Sequence, residues 1–336
     1  MTKIIRIGTR ESQLAVWQAT LVQQLLAKNN LHAELVLIKS EGDIDLQTPL
    51  YEIGVQGIFT RSLDIALLTN KIDIAVHSMK DVPTQLAKGI VQSAVLPRAS
   101  YKDIFVYKDE LDTIANELGY INGKWTSHNL QFTIDNPIAI GSPLTTHNSP
   151  FTIATSSIRR MAQWRNRYPH HAIENLRGNV NTRLRKVQEN NWQGAIFAAA
   201  GLERINLRPD KSVELDWMLP APAQGAIMVV CRAGDEDCLQ ACDALNDKGT
   251  AACVQIERDF LKALMGGCST PISALAEIKN NQVYFRGNIL SVDGKDKAAV
   301  EKWLPINVPG NVGQQLAEEL LQNGGEKIAL AIRNAK

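Results

Sequence analysis

Two rhythms of apolar residues alternate along the N-terminal part of the chain. "KIIRI" and "AELVLI" read as short strands. Between them Leu14, Trp17, Leu21 and Leu25 recur at the spacing of one helical stripe, with Ser12 placed to cap that helix. Beyond a polar loop at 41–59, a helix carrying Leu63, Ala66 and Leu67 leads into "IDIAVHS", apolar enough to be buried on both faces. Strand, helix and strand in this order predict a mostly parallel sheet covered by helices.

The same grammar restarts later. "FTIATSSIRRMAQWRNRY" reads as strand, polar turn and helix, and "NLRGNVNTRLRKVQ" as turn and helix before the buried strand "GAIFAAAG". Residues 107–150, rich in Asn, Ser, Thr and Gly, separate the two units; loops beyond about 15 residues are uncommon in compact domains, so this stretch reads as an insertion. In "LPAPAQGAIMVVCR", Pro220 and Pro222 stiffen a crossing ahead of an apolar strand, which predicts a chain returning to pair with the first sheet. From about residue 250 a helix runs toward Cys268, a hairpin turns at Asn280-Asn281, and a last helix covers "GQQLAEELLQ". The expected class is α/β. One domain takes 1–102 with 222–243, a second takes 103–221, and a small α+β domain takes 244–336.

Composition narrows the function. The chain has 336 residues, 45% hydrophobic and 21% charged, with 36 basic and 35 acidic side chains for a net charge of +1. That balance argues against general affinity for nucleic acid or an anionic membrane. "MTKIIRIGTRES" lacks the apolar core of a signal peptide, and no apolar run approaches membrane-span length. Five cysteines without a zinc-type CxxC pair suit a reduced, cytoplasmic setting with no metal site, and Cys238 and Cys242 read as small core residues of one helix.

In open α/β sheets, ligands bind beyond the carboxyl ends of the strands. Those ends carry Thr9, Arg10 and Ser12; His77, Ser78, Lys80 and Asp81; Thr155, Ser156, Ser157, Arg159 and Arg160; and Arg177 and Arg183. Three consecutive hydroxyls at a helix start make a ready anion site. Two arginines in that first turn oppose the helix dipole, which favours a ligand with several negative charges over solvated arginines. Asp81 among these cations is either their salt-bridge partner or an anion that stabilises a developing positive charge or handles a proton. His77 reads as structural. In "ALMGGCSTPIS" Cys268 follows two glycines, on a turn with little bulk to shield its sulfur. A nucleophile, a redox thiol and a covalent anchor for a prosthetic group all remain open, and the unhindered turn suits the anchor.

"IGTRESQLAVWQA", "HSMKDVPT", "ATSSIRR", "NLRGNVNTRL", "LPAPAQGA" and "MGGCSTPI" follow one another in this order. Together they closely resemble the porphobilinogen deaminase, or hydroxymethylbilane synthase, family over nearly the whole chain. The resemblance implies two periplasmic-binding-protein-like domains facing across a cleft and a third domain presenting a cysteine. It implies a dipyrromethane cofactor held by a thioether on Cys268. Four porphobilinogen molecules are condensed onto it, with loss of ammonia, before a linear tetrapyrrole is cut away. By the same resemblance Asp81 is the catalytic aspartate, hydrogen-bonding pyrrole N–H groups and stabilising an azafulvenium ion. Lys80, Asp81, Thr155, Ser156, Ser157, Arg159, Arg160, Arg183, Gly201 and Gln224 would bind the cofactor, and Arg10, Ser12, Gln18, Arg177 and Arg204 the substrate. A monomer is implied, and the loop at 41–59 resembles the family's mobile cover.

Some positions depart from the family pattern. Where it has Lys-Gly-Leu-Phe-x-Lys-Glu-Leu, this chain reads "QGIFTRSL", so Gln56 removes a cation and Ser62 a carboxylate. Ala154, Asn181 and Ala223 replace commoner residues, Ala223 standing for a glycine, and the 107–150 stretch has no counterpart in the usual pattern. Two other readings stay in view: a homologue with impaired turnover, and a two-lobed anion-binding receptor without catalysis.

Overall fold

The computed structural model describes residues 4–39, 60–126, 151–264, 270–307 and 310–334. Strands β1 (Ile5–Thr9), β2 (Ala33–Leu37), β3 (Ile74–Ser78) and β4 (Ile90–Val95) build the first sheet with helices α1 (Gln13–Lys28) and α2 (Arg61–Leu68). A fifth strand from far along the chain, β12 (Ile227–Arg232), inserts between β3 and β4, giving the order β2-β1-β3-β12-β4. The second sheet has the order β11-β5-β10-β8-β9. Its strands are β5 (Asp103–Tyr107), β8 (Thr152–Ala154), β9 (Ala172–Glu174), β10 (Gly194–Ala198) and β11 (Ser212–Glu214). Its helices are α3 (Leu111–Leu118), α4 (Ile158–Arg167), α5 (Val180–Glu189) and the short α6 (Ala199–Glu203).

Each sheet is parallel except for one reversed strand. β12 runs against β3 and β4, and β5 runs against β10 and β11. These are the strands the chain enters straight after each crossing between lobes. The two crossings lie side by side, with the Ala99 amide donating to the Gly225 carbonyl at 3.1 Å and the Leu96 amide to that of Ile227 at 3.0 Å.

Two expectations are adjusted. The core face of α1 is Ala15, Ala19, Val22 and Leu26, one position away from the predicted stripe; Trp17, Leu21 and Leu25 flank it partly buried. The helix has a second apolar edge because it also faces the other lobe. The stretch from residue 107 is not simply a loop: α3 buries Ile114 and Leu118, and a hairpin of β6 (Tyr120–Ile121) and β7 (Lys124–Trp125) follows. Trp125 anchors that hairpin by donating Nε1 to the Glu214 carbonyl at 2.6 Å.

Helix α7 (Glu236–Asp243) packs on the first sheet with Cys238 and Cys242 inside, and burial pushes their thiols up to about 12 and 11. Helix α8 (Lys248–Ala263) then lies on a meander of β13 (Ile272–Lys279), β14 (Gln282–Leu290) and β15 (Lys297–Pro305), closed by α9 (Val312–Leu320) and α10 (Glu326–Asn334). Asn280 and Asn281 both take positive φ, 50° and 59°, as the tight hairpin requires. At Gly287 a Cβ would fall 2.6 Å from the Phe260 ring, so only glycine lets α8 seat on β14. Among the described residues no helix is long and apolar enough to cross a membrane.

Candidate active site

Asp81 ends a single 3₁₀ turn, Met79–Asp81, that begins as soon as β3 leaves the sheet. The Met79 amide still donates to the Ala226 carbonyl, just ahead of the returning strand, at 3.0 Å, and the chain turns immediately after it. Lys80 donates Nζ to Asp81 Oδ1 at 2.7 Å, and the Asp81 side chain stays 32% exposed. Burial alone would raise its pKa, but Lys80, Arg10 and Arg183 outweigh that and hold the carboxyl below the ordinary value. His77, one strand residue back, is pushed down to about 4 by burial, with Arg10 adding to the shift, so it sits neutral as a structural residue.

Arg183 acts electrostatically on this carboxylate from the other lobe. Asn179 caps α5 by accepting from the Thr182 amide at 3.0 Å, and Arg183 Nε donates to the Gly178 carbonyl at 2.6 Å. Gly178 has φ of 115°, a backbone region that L side chains rarely adopt. The Arg183 guanidinium is pushed down to about 10 by burial and by its like-charged neighbours Arg160 and Arg177, with Asp81 opposing. The charges that act on the Asp81 carboxylate are therefore Lys80, Arg10 and Arg183, with Arg160 and Arg177 acting in turn on Arg183.

Arg159 and Arg160 are not solvated helix-start arginines. Both are buried beside Asp103, the first residue of β5, itself 0% exposed. Arg159 Nη1 lies 2.8 Å from Asp103 Oδ2 and donates to the Leu219 carbonyl. Arg160 donates Nε and Nη2 to Asp103 Oδ1 at 3.1 and 2.7 Å. Burial pushes Asp103 up, yet the two guanidiniums prevail and keep it ionised. Gln224, on the returning crossing, donates Nε2 to Asp103 Oδ1 at 3.0 Å and to the Tyr101 carbonyl at 2.8 Å. Among the described residues, buried Arg159 Nε has no hydrogen-bond partner. Part of the hydroxyl cluster is internally engaged as well. Ser157 accepts from the Arg160 amide, Thr155 Oγ1 from the Ser157 amide, and Ser156 bonds the Leu176 carbonyl and amide.

The remaining residues line the meeting of α1 with the second lobe. Ser12 occupies the N-cap position, but its hydroxyl caps no amide of α1. Gln18, buried, donates to Ser78 Oγ at 2.9 Å at the end of β3. Gly201 faces Leu14, and the Arg204 guanidinium sits 5.8 Å from the Trp17 ring centre while donating to the Gly225 carbonyl at 2.7 Å. Gln13 and Asn181 join across the rim at 3.0 Å. Cys268 and Gln56 lie outside the described residues, as does the loop at 41–59.

Sequence reasoning missed Asp103, Glu257 and Arg258. Glu257, on α8 and 0% exposed, accepts from Arg98 Nη1 and Nη2 at 2.6 and 3.1 Å, the Ala223 amide at 2.6 Å and the Ala276 amide at 2.8 Å. One carboxylate thus ties the end of the first sheet, the returning crossing and the C-terminal sheet together. The only signal in the chain was a pair of charges, Glu257-Arg258, inside a run whose apolar neighbours point inward.

Comparison with known proteins follows the same lines. The family model "Porphobilinogen deaminase, dipyromethane cofactor binding domain" matches residues 5–123 and 130–240, and "Porphobilinogen deaminase, C-terminal domain" matches 251–322. Only 124–129 fall between the first two stretches, which corrects the expectation that all of 107–150 lacks a counterpart. The porphobilinogen deaminase of Syntrophotalea carbinolica is 37% identical over 332 residues, covering 98% of this chain and 96% of its own. That of Syntrophomonas wolfei is 37% identical over 333 residues, covering 98% and 99%. A crystal structure of the methionine binding protein MetQ superposes with a TM-score of 0.41 at 13% identity, over 74% of this chain and 92% of that one.

Proposed function

The chain belongs to the porphobilinogen deaminase family, and from that premise we infer how its cleft performs hydroxymethylbilane synthase chemistry. It is a transferase that joins four porphobilinogen molecules head to tail on a dipyrromethane cofactor, releases ammonia at each joining, and frees the product by hydrolysis.

The residues fit such a cofactor. Every pyrrole ring carries an acetate and a propionate, and its N–H is a donor. The cleft offers the inverse: guanidinium and ammonium groups for carboxylates, and one exposed ionised carboxylate for N–H groups. The observation that carries the reading is the set of cations acting on Asp81 from both lobes: Lys80 and Arg10 from the first, and from the second the half-buried Arg183 with its like-charged neighbour Arg177. Like charges brought together in this way favour an anionic ligand with more than one charge. When bound, the cofactor supplies the free pyrrole α-carbon to which the substrate methylene is joined.

Lys80, Thr155, Ser156, Ser157, Arg159, Arg160, Arg183, Gly201 and Gln224 hold the cofactor side, with Arg159 and Gln224 acting from the hinge. Arg10, Ser12, Gln18, Arg177 and Arg204 hold the incoming ring, for which the uncapped Ser12 hydroxyl is available. Asp81 accepts from pyrrole N–H groups. Its negative charge, secured by Lys80, Arg10 and Arg183, stabilises the electron-poor methylene left when the substrate C–N bond breaks and ammonia departs. The ring whose α-carbon forms the new bond would lose its α-proton to water or to Asp81. Cys268 anchors the cofactor by thioether. A cytoplasmic monomer with porphobilinogen as its partner belongs to the same reading.

Intact mass of denatured protein, with and without Cys268→Ser, tests the assignment. The expected result is an added mass of two pyrrole units that the variant lacks, with tetrapyrrole formed from porphobilinogen. An unmodified mass that persists after incubation with porphobilinogen overturns it.

A further inference from the structure

Arg258 is buried at 7% exposure on α8, the helix whose C-terminal end leads toward Cys268. Its guanidinium faces neither solvent nor the C-terminal core. Nη1 donates to the Val82 carbonyl at 3.0 Å and more loosely to that of Met79 at 3.4 Å; Nη2 donates to the Pro83 carbonyl at 2.6 Å. Among the described residues no carboxylate lies within ion-pair distance of it, and burial pushes it down to about 10, with Asp259 only partly opposing. A neutral side chain would fill this space without burying a charge, so the charge needs a reason.

The three carbonyls bracket Lys80 and Asp81. The turn closes on a single bond, from the Val82 amide to the Met79 carbonyl at 3.1 Å; the Val82 and Pro83 carbonyls take no part in it, and Arg258 shares that of Met79. A lone 3₁₀ turn is a weak element, and Pro83 has no amide with which to extend it. We propose that Arg258 is a positioning residue. It fixes the Asp81 loop from behind and so registers the aspartate against the domain that carries Cys268. A planar fork meeting several carbonyls at once sets orientation as well as distance, which one ammonium cannot do. Asp81 then responds to any shift of α8, and the chemistry stays at one place while domains adjust. The inference rests on the functional reading above for the role of Asp81, but the contact itself does not depend on it.

Arg258→Met and Arg258→Lys, compared with the wild-type enzyme carrying its cofactor, test this by two readouts. In hydrogen–deuterium exchange the peptide covering 78–84 becomes faster by about tenfold in Arg258→Met, as loss of a strong hydrogen bond implies, while peptides of α9 and β14 stay unchanged. In turnover, kcat per cofactor-loaded molecule falls by roughly 10–100-fold from misplacement of the reacting geometry, with KM moved less than about threefold. Arg258→Lys recovers part of both. Unchanged exchange at 78–84, or a kcat per loaded molecule within twofold of wild type, overturns the proposal. If Arg258→Met fails to fold, the same two comparisons are made on Arg258→Lys alone. An inactive, unmodified wild-type protein would overturn the functional reading instead, and the exchange comparison would still pass or fail the contact.

Discussion

Asp81, Asp103 and Glu257 each face basic groups, and they are not equivalent. At the hinge, Asp103 and Glu257 are both 0% exposed; Asp103 faces two buried guanidiniums and Gln224, and Glu257 faces the Arg98 guanidinium and two backbone amides. In the cleft, Asp81 takes a hydrogen bond from its neighbour Lys80 and leaves its side chain 32% exposed. The hinge carboxylates are enclosed by the fold: Glu257 accepts hydrogen bonds on both oxygens, and Asp103 accepts them on Oδ1 with Oδ2 in ion-pair contact with Arg159. Asp81 has its charge secured but its capacity open. A structural carboxylate needs satisfaction, whereas a catalytic one needs a fixed charge and an unfilled side.

The widest separation between the two kinds should come from removing charge with little change in shape. Asp81→Asn is expected to lower kcat by on the order of 10²–10³-fold, the scale for losing one preorganised electrostatic group. Porphobilinogen affinity and the unfolding midpoint should stay close to wild type. Single-turnover kinetics beside thermal denaturation would check this, and near-normal turnover would remove Asp81 from the mechanism.

Glu257→Gln should behave in the opposite manner. It leaves the Arg98 guanidinium, 11% exposed, without its counter-charge and weakens the acceptor for the Ala223 and Ala276 amides. Breaking one partner of a buried pair costs about 3–5 kcal/mol. Urea unfolding is expected to show that loss, while kcat of the folded fraction changes far less than in Asp81→Asn. Equal effects on both quantities would erase the distinction between hinge and cleft.

Much of the cleft was legible in the chain because it obeys a local rule: polar residues directly after a buried strand lie at the sheet's carboxyl edge. Asp81 follows the buried β3 in this way, and Arg177 follows the partly buried β9, with Arg183 on the helix after it. The strand returning after Pro220 and Pro222 was equally legible from its composition. The hinge obeys no local rule. Asp103 opens an apolar strand and meets arginines 56 and 57 positions later, and Glu257 meets an arginine 159 positions earlier. Nothing in "KDIFVY" or "VQIERDF" distinguishes those charges from solvated ones, since their burial is decided by partners that only the assembled lobes supply. The predicted stripe of α1 slipped for a related reason. Trp17 answers to Arg204 across the lobes, not to the sheet beneath.

A smaller effect bears on the cleft side alone. His77 is lowered from 6.5 to about 4, first by burial and then by Arg10, with Asp81 opposing. A base whose folded value is depressed binds its proton more readily when unfolded. The stability it confers is therefore present above pH 6.5 and is lost as pH falls from 6.5 toward 4, amounting to roughly 3 kcal/mol over that window. His77→Gln should flatten that part of the stability–pH curve. A curve parallel to wild type would mean that carboxylates elsewhere set the acid limit.

The smallest effect tests how tightly the hinge is determined. Ala223 takes φ of 61° where the family pattern has glycine, and its amide is held 2.6 Å from Glu257 Oε2. A left-handed conformation costs a residue with a Cβ about 1–2 kcal/mol, while glycine loses more backbone entropy on folding, roughly 0.5–1 kcal/mol. The two terms oppose each other, and the first is the larger. Ala223→Gly should thus stabilise the folded protein by up to about 1 kcal/mol at unchanged kcat. Stabilisation together with slower turnover would mean that strain at this crossing helps the lobes move. A loss of stability would show that the Ala223 methyl, 0% exposed against the first sheet, contributes more by packing than its backbone costs.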